Sequence, residues 1–171
     1  PKDAVKELER VVKESSNKAM RENVLLQLGD LYRDLEDYSL ALKSYRLLLK
    51  DYPQSLYQDY ILYQSGAIAL KQADYDGVFK LLSDFKTNFP GSEYINDAYY
   101  LLSTAYFQKG DYTASVKVLE QSRKESKEGD FPPKSLYLLA SNWYNLGDLK
   151  KAIELFKETV SRSQDTELTQ R

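Results

Sequence analysis

The sequence predicts an all-α fold, a solenoid of stacked antiparallel helix pairs. Three observations carry that expectation. The first is repetition at a step of 37 residues. Asp37, Asp74, Asp111 and Asp148 form one series. Gly29, Gly66, Ser103 and Ala140 form a series of small residues. Tyr32, Ala69, Tyr106 and Trp143 form a third, Ala41, Val78, Ser115 and Ala152 a fourth, and Tyr45, Leu82, Leu119 and Phe156 a fifth. A period of this length marks stacked copies of one supersecondary unit. The second observation is that apolar residues between these marks fall on 3.6-residue stripes rather than alternating. The third is that each recurring Asp opens such a stripe. There its carboxylate can accept from the free N–H groups of the first turn and sits at the positive end of the helix dipole.

Composition narrows the function classes. The chain has 171 residues, 42% hydrophobic and 29% charged, which is enough for one globular domain. No apolar run approaches about 18 residues, so no segment is expected to span a membrane. Histidine and cysteine are both absent. Their absence removes the commonest nucleophiles, general bases and transition-metal ligands. Carboxylate pairs such as Glu36-Asp37 and Asp74/Asp76 occur at helix starts, where capping accounts for them. No catalytic residue, metal or cofactor is therefore expected. The net charge is −2 and no Lys/Arg cluster marks a phosphate-binding face, so nucleic acid is not an expected partner. The chain begins at Pro1 with neither Met nor a signal-like segment, which reads as a piece or a processed form of a longer protein. The unusual count is tyrosine, at 15.

The elements follow in order. Residues 1–21 hold one helix with apolar Ala4, Val5, Leu8, Val11 and Val12. One period before Ala41, Tyr45 and Leu48 stand Ala4, Leu8 and Val11, so this helix fills the second slot of a half-repeat. The first complete repeat is 22–55. Its first helix carries Val24, Leu25, Leu28, Leu31 and Tyr32, and its second carries Leu40 to Leu49 after Asp37. Pro53 ends it, because the residue before a proline is pushed out of the α region. Ser55 with Gln58 reads as a capping box opening the next helix. The second repeat, 56–92, repeats this logic around Asp74 and Pro90. The third, 93–127, carries Gly110-Asp111, whose glycine suits a left-handed residue closing the first helix. Glu36 and Ala73 hold that slot earlier, at a cost of roughly 1 kcal/mol if the left-handed conformation is kept. Glu128–Pro133 is the one irregular loop. The fourth repeat is 134–163, with Gly147-Asp148, and a polar tail, 164–171, predicts no helix of its own.

These residues resemble the tetratricopeptide repeat (TPR), a helix–turn–helix unit of 34 residues. The third repeat matches through Tyr99, Ser103, Tyr106, Gly110-Asp111-Tyr112, Ser115 and Leu119. The first matches through Gly29, Tyr32, Asp37-Tyr38, Ala41, Tyr45 and Pro53, and the fourth through Trp143, Gly147-Asp148 and Ala152. The resemblance implies a right-handed superhelix whose first helices line a concave groove. The small residues have a physical place in it. They lie where the helices of a pair cross, so that the backbones approach closely. The three extra residues per period are expected to lengthen each first helix by almost one turn. The Tyr-Pro-Gln-Ser and Phe-Pro-Gly-Ser-Glu-Tyr joints resemble those of bacterial cell-envelope TPR proteins, namely the outer-membrane assembly lipoproteins and the Tol–Pal-associated type.

The resemblance implies a non-enzymatic interaction module with a protein or peptide partner in the groove. Inward positions then include Arg33, Tyr60, Tyr63, Lys71, Tyr100, Phe107, Lys134, Tyr137, Tyr144 and Asn145, with Tyr63, Tyr100 and Tyr137 one per repeat. Tyrosine offers contact area and a polar tip at low entropy cost. The chaperone-tail carboxylate clamp of the family is not expected. Its slots hold Leu26, Asp30, Gln64, Asp97 and Leu101, or one repeat later Tyr63, Ala67, Leu101, Lys134 and Leu138, where only Lys134 fits. The implied location is the periplasm or cell envelope, with a lipid anchor upstream in the parent protein. A cytosolic scaffold and a structural spacer with no groove ligand stay open. Both ends of the array are expected to expose apolar surface, which further helices or end-to-end self-association would cover.

Overall fold

The computed structural model describes residues 2–127 and 130–169, with the backbone alone at 2, 3 and 164–169. The described residues form helices α1 (Lys2–Glu14), α2 (Lys18–Asp34), α3 (Tyr38–Asp51), α4 (Gln58–Lys71), α5 (Tyr75–Leu82), α6 (Phe85–Asn88), α7 (Ile95–Gln108), α8 (Tyr112–Glu125), α9 (Pro133–Asn145) and α10 (Leu149–Thr169), and no strand. The chain divides within α4 into two compact units, Pro1–Ile68 and Ala69–Arg171.

In the first unit α1 packs on α2 and α2 on α3. Leu25, Leu28, Ala41, Tyr45, Leu48, Ile61 and Ile68 form its buried core, and the α1 stripe of Val5, Leu8, Val11 and Val12 packs against it. In the second unit α7 packs on α5 and α8, α9 lies on α8, and α10 pairs with α9. Val116, Leu119, Leu136, Leu139, Ala140 and Leu155 make a core there, closed at one end by Phe131 of the irregular loop. Loop residues Glu128 and Gly129 lie outside the described residues.

The caps follow the repeat. Asp37, Asp74, Asp111 and Asp148 each accept a backbone N–H three residues on, from Leu40 (3.3 Å), Gly77 (2.9 Å), Ala114 (3.0 Å) and Lys151 (3.1 Å). The residue before each has positive φ: Glu36 at 60°, Ala73 at 55°, Gly110 at 79° and Gly147 at 85°. Two of these left-handed turns are therefore closed by residues with a Cβ. The small residues at the helix crossings are buried, and the Ser115 hydroxyl donates to the Ser103 carbonyl at 2.8 Å where α7 meets α8.

Four local features depart from the sequence reading. The helix of the first repeat starts at Lys18 rather than Glu22, because Asn17 caps it by accepting from Met20 N–H at 3.1 Å. In the second and third repeats the three extra residues do not lengthen the first helix, α4 and α7 having 14 residues each, whereas α2 of the first repeat has 17. They stay in the joints, where Ser55 accepts from Tyr57 N–H and Ser92 from Tyr94 N–H, each at 3.1 Å. The Ser55 capping box is thus replaced by a hydroxyl turn, and Gln58 Nε2 instead donates to the Pro53 carbonyl at 2.7 Å. The second helix of the second repeat breaks at Ser83-Asp84 into α5 and α6, which lets Phe85 turn into the core. Ser and Asp both compete with the helix for backbone hydrogen bonds. Finally, α10 continues to Thr169 through most of the polar tail. Arg162 anchors it, donating to the Phe131 carbonyl at 3.2 Å and to Glu158 at 2.7 Å.

Candidate functional site

In the first unit the expected binding residues Arg33 and Tyr60 meet in a polar cluster centred on Asp30. Asp30 Oδ1 accepts from the hydroxyls of Tyr45 (2.6 Å) and Tyr60 (2.8 Å) and from the Arg33 guanidinium (3.1 Å). Arg33 also donates to the Tyr60 oxygen at 3.0 Å and to Asp34 at 2.9 Å. The cluster ties α2, α3 and α4 together. Its electrostatics follow from burial beside a carboxylate. Burial, then the bond to Asp30, pushes the Tyr45 hydroxyl well above its ordinary range. Burial also raises Tyr60, with the Arg33 contact opposing it. Burial works against the Arg33 charge, but Tyr60 and Asp34 outweigh it and hold the guanidinium above its usual value. Arg33 and Tyr60 are thus fixed by their own neighbours. Tyr63 stands half-buried on the same helix, three residues beyond Tyr60.

In the second unit Lys134 and Tyr100 come together. The Lys134 ammonium lies 4.9 Å from the centre of the Tyr100 ring and pairs with Asp97 at 2.5 Å, joining α9 to α7 one full period apart. A cation over an aromatic face contributes about 0.5–1 kcal/mol at an exposed site. Phe107 is partly buried against the core and meets Tyr112 edge-on with centroids 5.4 Å apart. Tyr137 is 59% exposed and rests on Phe156 at 5.5 Å between centroids. Tyr144, two turns further along α9, is 61% exposed. Asn145 donates to the Ser141 carbonyl at 2.7 Å, and Lys71 is exposed at the end of α4. The aromatic positions therefore differ sharply in what they offer a ligand. Tyr137 and Tyr144 present rings to solvent, whereas Phe107 is largely spent on internal packing.

Sequence reasoning missed the part played by Tyr45. A signal was available, since its series reads Tyr45, Leu82, Leu119 and Phe156. A buried phenol among hydrocarbons needs a hydrogen-bond partner, and Asp30 supplies it.

Two tetratricopeptide-repeat family models match the chain, over residues 23–55 and 100–166. Together they take in more than half of it. No curated protein matches. Among solved structures, a MamA RS-1 double mutant is 22% identical, with a TM-score of 0.78 over 97% of this chain and 86% of that one. MamA 41-end from Desulfovibrio magneticus RS-1 is also 22% identical, with a TM-score of 0.77 over 96% and 86%. Nearly identical TPR-like repeats of a Podosopora anserina protein assigned as a kinesin light chain are 17% identical, with a TM-score of 0.72 over 96% and 88%. At these identities the likeness concerns the fold.

Proposed function

Because the chain belongs to the tetratricopeptide-repeat family, whose fold serves as a protein–protein interaction scaffold, we propose that it is a non-enzymatic module binding a peptide or partner protein on its tyrosine-bearing first-helix faces. The observation that supports this most directly is the exposure of Tyr137 and Tyr144 along α9, beside the Lys134–Tyr100 pair. Large rings left in solvent at regular spacing suit apolar anchors of an extended or helical segment, while nearby lysine and asparagine groups set register. An open helical face excludes little water, which does not suit a small enclosed substrate. Bacterial envelope assembly is the setting in which we place the module, on the Pro-x-Ser joints Tyr52–Ser55 and Phe89–Ser92.

The test is the triple variant Tyr63→Ala, Tyr100→Ala and Tyr137→Ala. It should fold, as judged by a thermal melt, and lose the partners that the parent chain captures in a pull-down. Each tyrosine that acts as a hot spot is worth roughly 1–2 kcal/mol. A folded variant that captures the same partners would refute binding on these faces. A variant that no longer folds would assign the tyrosines to packing and leave a structural spacer as the better reading.

A further inference from the structure

A cavity of about 250 Å³ opens in the second unit between α5–α6, α7 and α8, and none of the expected binding residues lines it. Its floor is made by Leu82, Phe85, Ala98 and Leu102, all buried, and its walls by Tyr99 and Val118, both half-buried. The rim is polar and held in place. There Glu125 accepts from Lys86 (2.7 Å), Tyr99 (3.0 Å) and Gln121 (3.2 Å), which ties α6 and α7 to α8. An apolar floor under a few fixed polar groups is the usual make-up of a ligand site.

The next repeat shows what such a cavity takes. One period of 37 residues carries Leu82, Tyr99, Leu102 and Val118 onto Leu119, Leu136, Leu139 and Leu155. Those four share one buried cluster with Phe131, which is 2% exposed. Phe131 comes from no helix. It is brought in by the loop before α9, next to Pro132 in an extended conformation, and its carbonyl accepts from Arg162 at 3.2 Å. At the cavity the counterpart of Phe131 is Tyr94. The Ser92 hydroxyl turn holds Tyr94 at the start of α7, where it is half-buried and does not line the cavity. Phe85 enters from the other side and still leaves the volume open. An apolar cavity of about 150 Å³ takes benzene, so this one has room for a phenyl ring and its methylene, with the backbone at the polar rim. A second copy of the chain cannot supply that ring, since none of its six phenylalanines is exposed.

We propose that this cavity binds a phenylalanine side chain presented by an extended segment of a partner protein, as Phe131 is seated one repeat later. The capped peptides Gly-Phe-Pro-Gly and Gly-Ala-Pro-Gly test this, titrated into the full chain labelled with nitrogen-15 and followed by NMR. The phenylalanine peptide should shift amides of α6 to α8 and bind about tenfold more tightly than the alanine peptide. Val118→Phe puts a ring of the chain's own into the cavity and should abolish binding, with a circular dichroism melt to check the fold. Val118→Ala widens the cavity and should move the preference from phenylalanine to a tryptophan peptide of the same frame, a change in selectivity that loss of stability alone does not produce. Tyr63→Ala with Tyr100→Ala should leave the affinity for the phenylalanine peptide unchanged, which separates this cavity from the first-helix faces. Equal binding of the first two peptides, no binding of either, shifts confined to other helices, or an affinity and selectivity that both Val118 variants leave untouched overturns the proposal. So does toluene binding where the phenylalanine peptide does not, because the occupant would then be a free hydrocarbon.

Discussion

The Tyr45 hydroxyl donates to Asp30 Oδ1 at 2.6 Å, although Tyr45 is a core residue with no exposed surface. One helix face thus combines a hydrophobic contact with a charge-assisted hydrogen bond. Removing only the oxygen, in Tyr45→Phe, leaves the ring in place and Asp30 with two donors instead of three. A hydrogen bond to a charged group contributes about 1.5–3 kcal/mol. Tyr60 and Arg33 remain, so the loss should fall near the lower end. Urea unfolding of the variant and the parent checks this, and an unchanged midpoint would remove Tyr45 from the cluster's energetics.

Gly29 lies against the same ring. A Cβ built on it would stand 2.5 Å from Tyr45 Cδ1 and 3.0 Å from Cζ. Tyr45 is held at its other end by Asp30 and cannot swing away without breaking that bond. Gly29→Ala should therefore destabilise the fold by about 1–3 kcal/mol through overpacking, despite the better helix propensity of alanine. Thermal melts decide it. A more stable variant would show that the ring can move.

Glu36 and Ala73 close their helices at φ of 60° and 55°, where Gly110 and Gly147 do the same work without a Cβ. The left-handed conformation costs a residue with a Cβ about 1–2 kcal/mol, and glycine returns part of that through its larger unfolded-state entropy. Glu36→Gly and Ala73→Gly should each stabilise by about 1 kcal/mol. Neither side chain is buried, so no packing is lost. Lower melting temperatures for both would contradict the strain.

Stability should fall on the alkaline side. Burial, with the bond to Glu9, pushes Tyr32 up to about 12, and burial, with the bond to Glu125, pushes Tyr99 up to about 12. The unfolded chain releases these protons near the ordinary 10.0 while the folded chain keeps them. Between those values the folded state binds more protons, so stability is intact below about pH 10 and is lost as pH rises toward 12. Tyr99→Phe should flatten part of that loss. Glu125 acts in the opposite direction. The bond from Lys86 leads in holding its carboxyl below the ordinary 4.5, against some burial, so its contribution is present above that value and disappears as pH falls through the folded value. Urea midpoints measured across both limbs would expose either sign as wrong.

Several features were legible because they depend on one residue and its near neighbours in the chain. A carboxylate three residues before a free N–H makes a cap wherever it occurs, so Asp37, Asp74, Asp111 and Asp148 could be placed from spacing alone. Small residues at a fixed step, such as Ser103 and Ser115, announced helix crossings, and both are fully buried. The left-handed turns at Glu36 and Ala73 followed from homologous slots filled by glycine elsewhere in the same chain.

What the sequence by itself determined was therefore the repeat and its helix pairs. The tertiary structure alone decided which residues of the same register are left exposed. Val116 and Ile153 hold the same register and similar side chains, yet one is buried and the other exposed, because α9 covers one of them. Arg33 and Tyr60 hold expected binding positions, but Asp30 accepts from both, and Arg33 on α2 also donates to Tyr60 on α4. The break at Ser83-Asp84 and the run of α10 to Thr169 depend likewise on distant partners, Phe85 entering the core and Arg162 reaching Phe131. Periodicity reports the direction in which a side chain points. What meets it there depends on residues brought close only by folding, and no local pattern carries that information.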